Sequence, residues 1–505
     1  MASFNPSFNP NSIEKSWVDQ ISKTLQTQLA VTINTPPVSI FLVPKTLKEE
    51  KLEAYVPQRV GLGLNHHFQP ELYHKIEQKK LTAARRVLLP HQIQDFEQEI
   101  VEKVKKIVPL IRDSYDLYHD ADDNMLAWLF AIDGMFLIDQ LNTYSDHGFA
   151  IEANDLIMLE NQIPLVVLKE IQKALLGQDA HLQEDYLESK FRFFCSSNST
   201  FVLSEHKVDF NQVHHLLDYM YNSIVNNERL ITTKVELTNP ASDPSENDTK
   251  LELLQVFIKF AGVIPVPEPF GQIIKFAMPK IQKIAEEKAI AEEIKVPSAS
   301  ELRKVANVEF RLAPENEGIR NINFVQGKAR YCYLPLVTLN SDSETVLRNL
   351  VAYENLMAKN SFECGYGLEL TEYVDFLCGI IDNANDVKLL REENIIQGDL
   401  GDEEIVKLFN GIGRTNMKMS VNSKVKKTVA QLNMVYESTP RVRVRRMIEK
   451  RFRASAMFIA FLLFVAGVVF LVRMNPWHMV LVRLVRAKLD RVLLFVGLKG
   501  PIGIA

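Results

Sequence analysis

Cysteine is scarce in this sequence, with four in 505 residues, and no two cysteines have the Cys-x-x-Cys spacing of a zinc or redox site. So few cysteines in so long a chain do not form a disulfide framework. The composition is otherwise that of a globular protein, with 47% hydrophobic and 24% charged residues. We therefore predict a large folded core with buried, reduced thiols. One disulfide between Cys364 and Cys378 is the alternative.

Motifs for nucleotide, metal or acyl-transfer chemistry are also missing. The sequence has no phosphate-binding P-loop, no Gly-x-Ser-x-Gly elbow and no His-Glu-x-x-His helix. The acidic residues 120–124 resemble the start of a calcium loop, but the glycine and glutamate that such a loop needs are absent, so they predict a helix N-terminus. We predict no catalytic, cofactor-binding or metal-binding residues. The alternative is acid–base chemistry by Asp133 and Asp139, two carboxylates within an apolar helical pattern.

Charge is distributed unevenly along the chain. Residues 439–505 contain 13 Lys/Arg and 2 Asp/Glu, whereas residues 1–438 contain 45 Lys/Arg and 61 Asp/Glu. Because nucleic-acid binding needs clustered cations that neutralise phosphates, this acidic body predicts no nucleic-acid partner. The basic tail suits anionic lipid headgroups instead.

One long hydrophobic run is present, residues 454–472, whose 19 uncharged residues are enough to cross a bilayer. Seven cations in residues 439–453 against three in residues 473–487 place the preceding body in the cytosol by the positive-inside rule. The basic, apolar tail 473–505 is predicted to lie in the headgroup plane, with a second crossing as the alternative. The N-terminus has no hydrophobic segment of the signal-peptide type.

Two glycosylation sequons, at Asn198 and Asn247, bear on which side of the membrane the body lies. They would be used only if the body were lumenal or extracellular, which is the alternative topology. Within the hydrophobic run, Ala456 and Ala460 have the small-xxx-small spacing of membrane helix dimers, which allows a homodimer.

The spacing of apolar residues predicts a mainly α fold: a large helical body with one small antiparallel sheet (α+β), plus a C-terminal transmembrane helix. Extended runs near residues 308–312, 322–325 and 331–339 supply the sheet. The predicted helices cover residues 13–30, 71–120, 124–142, 165–176, 251–293, 344–359, 366–381 and 403–410. The predicted segments are a tail and first helix 1–35, an N-terminal helical part 36–235, a polar linker or insertion 236–250, a C-terminal part with sheet and helices 251–438, a basic juxtamembrane segment 439–453, the transmembrane helix 454–472 and the amphipathic tail 473–505.

One apolar stretch, residues 156–168, carries Glu160, Asn161 and Gln162 at its centre and Pro164 just after them. Proline suits the first turn of a helix, so the pattern predicts two buried helices that meet at a corner. A corner leaves backbone groups without partners, and side chains that both donate and accept can satisfy them. We predict a buried, polar capping network here, with a ligand-binding site as the alternative.

Seven blocks along the chain form a combined pattern: VSIFLVPKTL (38–47), AYVPQRVGLGLNHH (54–67), AIDGMFLIDQL (131–141), DLIMLENQIPLVVL (155–168), PSASELRKVANVEF (297–310), RNLVAYE (348–354) and GDEEIVKLFN (401–410). Together they resemble the plant-specific "domain of unknown function 247" family over about residues 38–473. The resemblance implies a membrane-associated protein of unknown biochemistry, with a recognition role in the grass members linked to self-incompatibility. It implies no catalytic residues.

From these observations we expect a membrane-anchored plant protein that acts as a recognition or interaction module and is not an enzyme. The expected partners are a membrane, through the single span and its basic flank, and an unknown protein. No cofactor is expected, and the plasma membrane is favoured over other membranes. The alternatives are a membrane-tethered enzyme that uses buried carboxylates and a structural membrane scaffold.

Overall fold

The structure is a computed structural model. It describes residue 22 and residues 38–117, 120–147, 153–177, 185–205, 208–225, 296–314, 318–360, 367–412, 423–445 and 447–448. Several predictions lie outside the described residues: the first helix 13–30, the linker 236–250, the helical run 251–293, the transmembrane span 454–472 and the tail 473–505. The part of the chain that is described is mostly helical, which confirms the predicted class.

Short and medium-length helices make up most of the described body. The helices are Lys45–Glu50, Gly63–His66, Pro70–Val87, Pro90–Gln94, Glu102–Lys106, Val108–Asp113, Asp123–His147, Ala153–Ile157, Leu165–Leu176, Tyr186–Asn198, Leu216–Val225, Ala299–Ala306, Ser343–Asn360, Glu369–Ile380, Ala384–Glu392, Asp402–Gly411 and Lys424–Ser438. Single turns of 3₁₀-helix lie at Leu52–Ala54, Leu159–Asn161 and Gly318–Asn321, and a π-helical turn at Glu97–Val101. The predicted helical region 71–120 is divided because prolines lie in the first turns of new helices, Pro90 in Pro90–Gln94 and Pro109 in Val108–Asp113.

The helix Asp123–His147, called the core helix below, packs against Pro70–Val87, Leu165–Leu176 and Tyr186–Asn198. At its start, the Asp122 carboxylate accepts the backbone N–H groups of residues 124 and 125, so the acidic residues 120–124 do form a helix N-terminus. Residues 123–146 are the one described helix long and apolar enough to cross a bilayer. However, 72% of that apolar window is buried inside the protein, which is the position of a core helix.

The prediction of one antiparallel sheet is wrong. Strand β3 (Arg330–Leu334) pairs antiparallel with β2 (Asn323–Gln326) but parallel with β1 (Val308–Leu312), which gives a mixed sheet in the order β1-β3-β2. A second, two-stranded sheet pairs β4 (Val337–Leu339) in parallel with β5 (Ile396–Gly398). The extended run 331–339 is split because Pro335, which has no N–H to donate, follows β3.

The chain divides into two compact units, residues 1–433 and residues 434–505. The first unit holds both sheets and every helix above except the C-terminal end of Lys424–Ser438. Its largest fully buried side chains include Phe130, Phe191, Tyr219 and Tyr353. The finer segment boundaries given above stay predictions.

Candidate functional site

Two helical segments meet at a corner in the first unit. Ala153–Ile157 continues into the 3₁₀ turn Leu159–Asn161, and Leu165–Leu176 begins four residues later. Pro164 occupies the N-cap position of the second helix rather than its first turn. Gly177 ends that helix with φ at +56°, a backbone conformation that glycine adopts without strain.

Three polar side chains, the corner triplet, lie between these segments, and each residue is only 1% exposed. They are Glu160, Asn161 and Gln162. The Asn161 Oδ1 accepts the N–H of Leu62 at 2.6 Å, and its Nδ2 donates to the carbonyls of Val60 and Asp155 at 2.9 Å each. One amide side chain therefore connects the corner to residues 54–67, called the anchored loop below.

Gln162 holds the corner itself together. Its Nε2 donates to the carbonyls of Leu156 and Met158 at 2.8 Å each, and its Oε1 accepts the N–H of Leu217 at 3.1 Å. The Tyr115 hydroxyl donates to the Gln162 carbonyl at 2.9 Å. These bonds satisfy backbone groups that the bend between the helices leaves without partners.

Asp155, in the middle of the helix Ala153–Ile157, holds the start of the anchored loop. Its carboxylate accepts three consecutive backbone N–H groups, from Gln58 at 3.1 Å, Arg59 at 2.7 Å and Val60 at 2.8 Å. Asp155 is 3% exposed. A buried carboxylate needs such donors because its desolvation is otherwise costly, so this aspartate acts as an anchor for the loop backbone.

Glu160 connects the corner to three further segments. Its carboxylate accepts the Val43 N–H at 2.6 Å and lies 2.7 Å and 2.8 Å from the Lys48 ammonium and 3.2 Å from His66 Nε2. Burial by itself would raise the pKa of the Glu160 carboxyl, but His66, Lys48 and the Val43 N–H together hold that pKa below its usual value. Glu160 is therefore a charged carboxylate whose charge is already matched.

Asp133, on the core helix, forms the second anchor of the loop. Its carboxylate accepts the Gly63 N–H at 2.9 Å and lies 2.7 Å from the Lys80 ammonium and 2.8 Å from His67 Nδ1. Lys80 also donates to the Gly61 carbonyl at 2.7 Å, and both Lys80 and Asp133 are 0% exposed. Burial acts to raise the pKa of Asp133, but Lys80 and His67 lower it below the usual value.

The structure does not bring Asp133 and Asp139 together. The Asp139 carboxylate instead pairs with both ends of the Arg86 guanidinium, at 2.8 Å and 2.5 Å. Six helical positions turn the two aspartates by about 240° from one another, so they face different neighbours. An acid–base dyad requires two carboxyl groups that share one site, and this pair does not have that arrangement.

A second buried cluster was not predicted from the sequence. Asn349, on Ser343–Asn360, accepts the Leu159 N–H at 2.9 Å and donates to the Ala54 carbonyl at 2.7 Å. The same helix carries Tyr353, whose hydroxyl donates to the buried Asp218 at 2.8 Å. The sequence blocks 54–67, 155–168 and 348–354 are thus joined in one hydrogen-bonded structure.

Glu354 is fully buried at the end of this cluster. Its carboxyl oxygens accept the Tyr221 hydroxyl at 2.9 Å and the N–H groups of Leu370 at 3.0 Å and Thr371 at 2.7 Å. Burial raises the pKa of Glu354 to about 7, although these donors oppose the rise. The folded protein therefore keeps a proton on Glu354 that the unfolded chain releases at a lower pH.

We expect Glu354→Gln to change how stability depends on pH. Since the folded pKa is raised, Glu354 lowers the free energy of unfolding as pH rises from about 4.5 to 7, by about 2 kcal/mol between pH 5 and 7. His215, buried with a pKa lowered to about 4, has the opposite effect between pH 4 and 6.5. Because these two effects partly cancel, the free energy of unfolding of the wild type should change little between pH 5 and 7. That of E354Q should rise with pH. Denaturant unfolding at several pH values measures the difference, and parallel curves would contradict it.

The remaining predicted residues lie apart from the corner. Asn198 is the last residue of Tyr186–Asn198, its Nδ2 donates to the Phe194 carbonyl at 2.7 Å, and Thr200 of the sequon is 1% exposed. Asn247 and Cys364 lie outside the described residues. Cys195, Cys332 and Cys378 are buried, and none of the three is in a disulfide. Among the described residues, no group of three or more His, Cys, Asp or Glu is arranged to hold a metal ion.

An exposed apolar surface, the aromatic patch, lies where the core helix meets residues 89–96. The rings of Phe96 and Trp128 pack with their centroids 5.3 Å apart. Met125 precedes Trp128 by three residues on the core helix, so both lie on one face of it. Ile93 precedes Phe96 by three residues and Leu89 precedes Ile93 by four, so both belong to the segment that carries Phe96. Leu89 is 50%, Ile93 46%, Met125 36% and Trp128 38% exposed.

Comparison with known proteins gives one family. A family model described as "DUF247: Plant protein of unknown function" matches residues 40–472, which confirms the resemblance. One UPF0481 protein of Arabidopsis thaliana is 29% identical over 501 residues, covering 89% of this chain and 92% of that protein. Another is 24% identical over 398 residues, covering 74% of this chain and 72% of that protein. No solved structure matches.

Proposed function

The chain belongs to the DUF247 family of plant proteins, and from this premise we propose that it is a membrane-anchored recognition protein whose helical body docks a protein partner. The function of the family is unknown. The proposal therefore rests on the chemistry of this chain, and the observation that carries it is the aromatic patch. An exposed Trp beside a partly buried Phe and exposed Leu, Ile and Met side chains forms an apolar patch of the kind that marks protein–protein sites, and Trp is enriched among the residues that dominate binding energy.

The charge beside the patch indicates the kind of partner. Asp95 and Glu97 flank Phe96 in the chain, and both are exposed with no ion-pair partner among the described residues. Acidic side chains repel anionic lipid headgroups but attract Lys and Arg. We therefore propose that the partner presents an amphipathic segment with apolar and basic side chains, which fits an apolar patch with acidic neighbours.

The membrane anchor is proposed on the sequence alone. The uncharged run 454–472 has the length of a bilayer span, and the basic segment 439–453 favours a cytosolic position for the body. The plasma membrane and a homodimer through Ala456 and Ala460 remain proposals of the same kind.

We do not propose a catalytic role. The carboxylates best placed for one, Asp133, Asp139 and Glu160, are each paired with cationic side chains, and two of them also accept backbone N–H groups. Such partners fix a carboxylate in place, which suits an anchor better than a proton carrier.

Photo-crosslinking in plant membranes tests the proposed docking surface. We would place benzoylphenylalanine at position 93 of the full chain, with position 52 as the control, because Leu52 is 59% exposed and outside the patch. We expect one discrete protein adduct from position 93 and none from position 52. Peptide mapping should locate the crosslink in a basic, apolar segment of the partner.

Charge-reversal variants provide a second arm of this experiment. Asp95→Lys together with Glu97→Lys should abolish the adduct, because the reversed charges repel a basic segment. High salt should weaken the wild-type adduct for the same reason. An adduct that forms equally from position 52, that survives charge reversal, or that contains only lipid would contradict the proposal.

A further inference from the structure

A polar cleft lies in the first unit, and none of its lining residues belongs to a site described above. It has a volume of about 710 Å³, which is within the range of small-molecule sites. One wall comes from the 3₁₀ turn Gly318–Asn321 and the sheet residues Asn323 and Tyr333. The other wall is the first two turns of Lys424–Ser438.

The cleft concentrates positive charge in a body with an excess of acids. Arg320, Lys424 and Lys427 all line it. The Arg320 guanidinium is held by Glu369, with N–O distances of 2.7 Å and 3.1 Å, and Lys424 donates to the Arg320 carbonyl at 3.1 Å. Lys427 has no ion-pair partner among the described residues. The charge of Arg320 is therefore matched by Glu369, Lys424 is fixed in position, and Lys427 is the uncommitted cation.

These lysines lie at the positive end of their helix, where the Ser423 hydroxyl accepts the Lys426 N–H at 3.3 Å but supplies no negative charge. The first turn of Lys424–Ser438 contains no acidic residue, although a helix N-terminus carries a partial positive charge. The ammonium groups of Lys424 and Lys427 add to the partial positive charge of this helix end. Because an anion in the cleft would meet both the ammonium groups and the helix end, it would relieve this repulsion.

A hydroxyl on the wall of the cleft provides a separate indication of a ligand. Thr428 lines the cleft and is 3% exposed, and its hydroxyl makes no hydrogen bond with any described residue. The hydroxyl oxygen is not one of the fully enclosed polar atoms that lack a partner, so it opens into the cleft. A ligand oxygen there could accept its proton.

We propose that this cleft binds a phosphorylated small molecule. The phosphate lies against Lys424, Lys427 and Thr428, since several donors around one position suit an anion with several oxygens. Tyr333 is half-buried and is paired across the strands with Asn323. Its ring offers an apolar face against which the ring of a phosphorylated ligand could pack. The phosphate belongs either to a soluble compound or to a lipid headgroup. The cleft and the aromatic patch share no residue, so one proposal can fail without the other.

Calorimetric titration of the full chain in neutral detergent tests the cleft with two probes. One probe is inorganic pyrophosphate, and the other is a short-chain phosphatidylinositol bisphosphate. We expect at least one to bind, and Lys427→Gln to weaken that binding about tenfold or more, as the loss of a charge-assisted hydrogen bond does. Binding of pyrophosphate alone would indicate a soluble ligand, and binding of the lipid alone a headgroup.

Lys426→Gln is the matched control. Lys426 lies in the same helical turn but does not line the cleft, so we expect its replacement to change affinity less than about twofold. Thermal unfolding of both variants should stay close to the wild type, because Lys427 is exposed and Lys426 is partly exposed. Binding of neither probe, binding unaffected by K427Q, or an equal loss in K426Q would overturn the proposal.

Discussion

Lys80→Met is expected to destabilise the folded body by about 3–5 kcal/mol. Lys80 is 0% exposed, and its ammonium lies 2.7 Å from the Asp133 carboxylate and 2.7 Å from the Gly61 carbonyl. Methionine fills a similar volume but leaves Asp133 charged and buried without its main cationic partner. Denaturant unfolding of the full chain, followed by tryptophan fluorescence, measures the loss.

Two further variants make this prediction specific. Lys75→Met changes an exposed lysine on the same helix and should cost less than about 0.5 kcal/mol. Adding Asp133→Leu to Lys80→Met should recover part of the lost stability, because the charge that was left unpaired is then removed. If K80M and K75M had equal effects, Lys80 would not be a buried ion-pair partner.

Asn161→Ala is expected to cost about 3–5 kcal/mol, because three buried backbone groups lose their partners at once. These are the Leu62 N–H and the carbonyls of Val60 and Asp155. The anchored loop should be released locally before the body unfolds. Hydrogen–deuterium exchange of peptides from residues 54–67 should therefore accelerate more than exchange in the core helix.

Asn385→Ala is the control for this experiment. Asn385 is exposed in the first turn of the helix Ala384–Glu392, whose N-cap is Asn383, so its replacement should change stability by less than about 0.5 kcal/mol. Faster exchange spread evenly over the body of N161A, or a loss below 1 kcal/mol, would show that Asn161 is not the anchor of the loop.

Local sequence patterns predicted the helices around the corner. They did not predict the contacts of the corner with the anchored loop, because the two segments are far apart along the chain. Pro164 and Gly177 mark the limits of Leu165–Leu176 because proline and glycine act on their own backbone. Asn161 and Leu62, by contrast, are 99 positions apart. Nothing in the spacing of either segment indicates that pairing. The corner was therefore predictable as polar and buried, but its partner, the anchored loop, was not.

The partners of the charged residues could not be predicted from local patterns either. Lys80 lies in a segment rich in charge, and no local pattern separates it from the exposed Lys75. The parallel pairing of β1 with β3 is likewise set by tertiary packing, whereas the β2–β3 hairpin follows from a tight turn around Gly327. Phe96 and Trp128 form a patch only because two separate helical segments meet, and no local pattern singles them out.

Protease protection on microsomes that carry the full-length chain tests the proposed anchoring and orientation most directly. A variant that lacks residues 454–472 serves as the control for membrane attachment. We expect the full chain to sediment with the membranes and the deletion variant to be released. The body should be digested by added protease, and Asn198 and Asn247 should show no endoglycosidase shift. A protected, glycosylated body would contradict the cytosolic orientation and direct the search for a partner to the extracellular side.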